Sequence, residues 1–67
     1  MSSLYYSINR LWLFSVTYKS GEVVNYGFKV CVRPNRTKMW KDMVYLLDSG
    51  VATTISYELH SSHVFND

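Results

Sequence analysis

Between Arg10 and Lys19, Trp12, Phe14, Val16 and Tyr18 alternate with Leu11, Leu13, Ser15 and Thr17. A period of two is the signature of an extended strand, whose successive side chains point to opposite faces. The first half of this strand is apolar at every position, which suits a strand at the centre of a sheet. A short polar stretch, Lys19–Glu22, follows and offers Gly21 for a positive φ, so the chain is expected to turn and pair with itself. The return strand alternates Val24, Tyr26, Phe28, Val30 and Val32 with Asn25, Gly27, Lys29, Cys31 and Arg33.

Pro34 ends that strand, because it carries no N–H for the ladder and restrains Arg33 to extended geometry. The period then changes. Met39, Met43, Leu46 and Leu47 recur at helical spacing, with Trp40 and Val44 widening the stripe,. Asn35 or Thr37 can cap the start and Gly50 the end, which predicts a helix over 37–49. Period two resumes in Val51, Thr53, Ile55, Tyr57 and Leu59 against Ala52, Thr54, Ser56 and Glu58, a third strand,. Residues 1–9 read as an arm or short extra strand, and 60–67 as a loose tail.

The pattern predicts one α+β domain over 1–67, a compact β-β-α-β unit. Its three strands form an antiparallel sheet in the order 2-1-3, with one helix packed on one face. The expected core sets Trp12, Phe14, Val16, Tyr26, Phe28, Val30, Ile55 and Tyr57 against Met39, Met43, Leu46 and Leu47. The other face is then expected to show Leu11, Leu13, Lys29, Cys31, Ala52 and Thr54. Leu11, Leu13 and Cys31 are its candidate oligomer contact, giving a possible homodimer.

Composition sharpens this picture. With 67 residues, a single domain can bury only one small core,, and domains of this size usually lean on disulfides, metals or association. The single cysteine, Cys31, closes no internal disulfide and suits a reducing, cytoplasmic setting,. With only His60 and His63 beside it, no four-ligand zinc set can be assembled, so neither metal nor cofactor is expected. Association remains, and 48% apolar with 16% aromatic residues supplies surface for it,. No apolar run reaches the length of a membrane span, so no membrane contact is expected.

Catalysis finds little support. Glu22, Asp42, Asp48, Glu58 and Asp67 are scattered, and His60-Ser61-Ser62-His63 lacks an orienting acid and an oxyanion hole, so no enzyme is expected,. Cys31 has Lys29 and Arg33 near it in sequence, but a free cysteine usually packs as a small hydrophobe. The basic segment is more informative. Arg33, Arg36, Lys38 and Lys41 are four of the seven positive charges of a chain with net charge +2. They gather at a helix start, where the dipole disfavours cations unless an anion arrives. With Trp40 and Tyr45 as aromatic anchors, they form a candidate partner-binding set.

No motif identifies a family. The overall pattern, a compact β-β-α-β unit without catalytic residues, is similar in kind to small inhibitors and antitoxins that bacteriophages and mobile elements encode against host defence systems. That likeness implies a module that inhibits a larger protein with an acidic or nucleic-acid-binding surface, in the host cytoplasm if phage-encoded. The alternative expectation is a small DNA- or RNA-binding protein that grips phosphates with the basic loop.

Overall fold

The computed structural model describes residues 8–65, apart from the side chains of Ser62, Val64 and Phe65. Strands β1 (Asn9–Tyr18) and β2 (Val23–Cys31) form a hairpin; a 3-10 turn (Pro34–Arg36), helix α1 (Lys38–Asp48) and strand β3 (Ala52–Phe65) follow. The sheet order is β2-β1-β3, antiparallel throughout. This is the α+β topology expected from the periodicity, with β1 at the centre. The expected N-terminal arm lies mostly in residues 1–7, outside the described residues.

Both turns use glycine as the pattern suggests. Gly21, at φ +93°, lets the hairpin close with the Tyr18 amide on the Glu22 carbonyl at 2.9 Å. Gly50, at φ +82°, ends the helix: its amide donates to the Leu47 carbonyl and that of Val51 to the Leu46 carbonyl, at 3.0 and 3.1 Å. These paired bonds satisfy carbonyls a helix C-terminus otherwise leaves open.

The core lies between α1 and one face of β1 and β3. Phe14, Val16, Met43 and Ala52 are buried, and Trp12, Tyr18, Met39, Trp40, Leu46, Leu47 and Ile55 pack around them. Tyr57 joins the layers: its ring meets Trp12 at 5.6 Å, Trp40 at 5.0 Å and Phe14 at 6.2 Å, the first two edge-on. Edge-on rings set the positive rim of one against the negative face of the other.

Register corrects the expected faces. From the hairpin turn Thr17 pairs with Val23, Val16 with Val24 and Ser15 with Asn25; then β2 carries one extra residue, Tyr26, and Phe14 pairs with Gly27. A single inserted residue reverses the facing of everything beyond it. Leu13 therefore pairs with Phe28 and Leu11 with Val30, on the face away from the helix. The expectation that Tyr26, Phe28 and Val30 fill the core is thus wrong; Phe28 remains 49% and Val30 40% exposed. Lys29 and Cys31, expected on the open face, take the other side opposite Trp12 and Arg10.

On the opposite edge Thr53 is an extra residue between Thr17↔Thr54 and Tyr18↔Ala52. It turns Ala52 into the core, where it is buried, rather than onto the open face. The strand also runs past Leu59 to Phe65, so the segment expected as a loose tail is β-structure over 60–65.

Two phenylalanines make the register testable. Phe14→Ala should cost about 3 to 5 kcal/mol, the usual penalty for emptying a buried aromatic site. Phe28→Ala, from a half-exposed site, should cost roughly 1 kcal/mol. Urea unfolding of both variants measures the order, and equal losses would return Phe28 to the core.

Candidate functional site

The basic segment is built around Thr37. Arg33 is extended, Pro34 is buried, and the 3-10 turn closes with the Arg36 amide on the Arg33 carbonyl at 3.0 Å. The Thr37 hydroxyl donates to the Pro34 carbonyl at 2.7 Å and accepts from the Trp40 amide at 3.2 Å. One side chain thus fastens the turn and caps the helix, the role left open between Asn35 and Thr37.

Around this joint Arg33, Arg36 and Lys41 are exposed, and none forms an ion pair among the described residues. Lys38 differs. Its ammonium meets Asp42 one turn on at 3.2 Å, an exposed pair worth a few tenths of a kcal/mol at most, on the order of other helix-surface pairs,. The two aromatic anchors are not brought together. Trp40 is half-buried against Tyr57, whereas Tyr45 is 71% exposed. Five positions separate them, about 140° around a helix of roughly 3.6 residues per turn. Tyr45 instead shares the outer helix side with Lys38 and Lys41.

The sheet face opposite α1 forms a second feature. Its two ends differ in chemistry. Toward the hairpin turn its cross-strand neighbours are Ser15 with Asn25 and Ser56, and Thr17 with Val23 and Thr54. Toward the other end it carries Leu13 with Phe28 and Leu11 with Val30, and the His60 ring lies edge-on to Phe28 at 4.9 Å. Glu58, opposite Leu13, adds a carboxylate. This apolar end is also where β2 passes into the basic turn, Arg33 lying three residues beyond Val30. Apolar patch and unpaired arginines therefore sit at the same end of the sheet.

Leu11 and Leu13 of the expected oligomer contact belong to this patch, but Cys31 is on the opposite face. Burial pushes the Cys31 thiol up, with Lys29 pulling partly back, so it is held as the neutral thiol,. His60 and His63 lie along β3, and no group of three His, Cys, Asp or Glu among the described residues is placed to hold a metal. Phe28 and Val30 were not among the expected surface residues. The available signal was Gly27, since a glycine inside a strand often marks a bulge or a close approach. A Cβ at Gly27 would lie 3.1 Å from the Met39 methyl, so a side chain there would need the Met39 tip to shift by a few tenths of an ångström.

No protein-family model, curated protein or solved structure matches this chain. Among the described residues no helix is long and apolar enough to cross a membrane.

Two measurements check the local chemistry. Thr37→Ala should lose about 1 kcal/mol of stability, the typical value of a helix cap, read by urea unfolding. Iodoacetamide should modify Cys31 more slowly in the folded protein than in urea at the same mildly alkaline pH, the folded rate rising only at higher pH. Faster modification of the folded protein would contradict the raised thiol.

Proposed function

We propose that this protein is a non-enzymatic binding module that docks on a larger protein and inhibits or regulates it. The observation that carries this reading is the apolar end of the sheet face away from α1: Leu11 pairs with Val30 and Leu13 with Phe28, and among the described residues the leucines are half-buried while Phe28 and Val30 stay exposed. Isolated apolar side chains on a surface are ordinary, but a contiguous group rimmed by charge is the usual composition of an interface. Arg33 and Arg36, at the same end and without an ion pair among the described residues, favour a partner whose contact surface is apolar at its centre and acidic at its rim. Opposite charge there steers encounter and fixes orientation, while the apolar centre supplies affinity. Inhibition by occupancy needs no chemistry from the module, which suits its scattered titratable side chains. A reducing compartment such as the cytoplasm suits the lone thiol.

The exposed, unpaired Arg33, Arg36 and Lys41 also support a second reading, contact with nucleic-acid phosphates. The two readings differ in their salt dependence and in which residues matter. Each phosphate neutralised releases counterions, so nucleic-acid binding falls steeply with salt and depends little on Phe28.

Affinity capture from lysate of the source cell, comparing wild type with Phe28→Glu and with Arg33→Glu/Arg36→Glu, separates them. The expected outcome is a stoichiometric protein recovered by the wild type and reduced tenfold or more by Phe28→Glu. Circular dichroism confirms that the variants fold. Recovery of nucleic acid, insensitive to Phe28→Glu but lost with the double variant, would transfer the function to the second reading. Recovery of neither would refute both.

A further inference from the structure

We infer that the outer edge of β3 is a self-pairing edge, through which two copies of this chain join their sheets into one. The two edge strands, β2 and β3, contrast. A sheet edge presents unpaired N–H and C=O groups, and monomeric proteins protect it with bulges, lysines, prolines or short length. The β2 edge has such protection: the extra residue at Tyr26 breaks its nine residues, Gly27 follows, and Lys29 stands in the longer remaining piece.

The β3 edge has irregularities at Thr53, at His60 and between Ser61 and Phe65, but the stretch between the first two is unguarded. From Thr54 to Leu59 the strand pairs with Thr17 to Trp12 without a shift, a straight run of six residues. This run contains no proline, lysine, arginine or glycine, and Thr, Ile, Tyr and Leu make up most of it. Residues of these types favour extended chain. Its helix-side members beyond Ile55 are only partly covered, Tyr57 being 37% and Leu59 42% exposed.

A second copy suits this edge better than an arbitrary strand, for two reasons. First, antiparallel pairing about a two-fold axis at Ser56 or Tyr57 places Glu58, the run's one charge, opposite Thr54 or Ser56 and never opposite itself. Like charges directly across a pair destabilise it, so these registers avoid the one repulsion available. They also set Ile55 against Tyr57 or Leu59 on the helix side, extending the apolar layer from one copy into the next. Second, among the described residues only one of the two edges offers such an unguarded run. Pairing β3 with β3 uses the same surface on both copies and closes at two, whereas pairing β3 with the guarded β2 would propagate. The product is a six-stranded sheet with the order β2-β1-β3-β3-β1-β2 and both helices on one face. It leaves the Leu13–Phe28 patch of each copy open, so the dimer and the proposed docking surface are separate.

Sedimentation equilibrium up to millimolar protein, together with hydrogen exchange, tests the proposal. The expected result is a reversible dimer, with amides in 54–59 protected more strongly as concentration rises and those of β2 unchanged. Thr54→Lys/Ser56→Lys puts lysines on exposed positions of the run. It should weaken dimerisation tenfold or more while leaving the circular dichroism spectrum and the urea midpoint of the monomer unchanged. A monomer at every concentration overturns the proposal. So does a dimer that survives the lysines but is dissolved by Phe28→Glu, since that would place the contact on the open face. Loss of partner capture by Phe28→Glu with the dimer intact bears on the docking reading alone.

Discussion

The arrangement turns on one inserted residue in β2. Were Tyr26 paired in step with the turn, it would lie against Phe14 under the helix, and Phe28 and Val30 would follow it inward. The shift places Gly27 there instead, 3.1 Å being all that separates a Cβ at that position from the Met39 methyl. The Met39 side chain then lies over Gly27, and two large apolar side chains go to the other side. There they meet Leu11 and Leu13, cross-strand neighbours that would otherwise be stranded in water. One irregularity thus opens the place where Met39 lies and creates the exposed patch.

The patterns that depend on short-range physics were legible in the sequence. Gly21 and Gly50 took positive φ, the cap lay at one of the two residues offered, Thr37, and the apolar first half of β1 marked it as central; β2 stops at Cys31, three residues ahead of Pro34, which opens the 3-10 turn instead. Facing was not legible beyond the first irregularity, because alternation fixes each side only relative to its neighbours. An unbroken reading of β2 carried Tyr26, Phe28 and Val30 inward together, and one of β3 sent Ala52 outward. Both errors begin at extra residues, Tyr26 and Thr53. The basic cluster was visible as charge, but its separation from Trp40, which serves the core, needed the packing against Tyr57.

The same small core connects these features. Among the described residues Phe14, Val16, Met43 and Ala52 form the buried core and Pro34 is buried beside the helix start, which is little for a chain of 67 residues. Small domains have limited interior to offset the entropy of ordering the chain. A fold in this position gains from contacts beyond its own boundary, and the apolar patch and the straight β3 edge are two independent places to find them. The patch depends on side chains and on complementary charge, whereas the edge depends on backbone groups.

The mismatch in length between helix and strand has a consequence for motion. Eleven residues of α1 rise about 16 Å, while fourteen of β3 span roughly 45 Å, in a molecule 43 Å long,. The helix meets β3 between Ala52 and Tyr57, so beyond Leu59 the described support of the strand is its pairing with β1. Opening should therefore be graded along one strand. Amides bonded between β1 and β3 beneath the helix should exchange more slowly than those bonded beyond it, since freeing them requires parting the core as well as the strands. The two ends of one sheet then open at different free energies, and the Leu11–Val30 pair sits near the boundary between them.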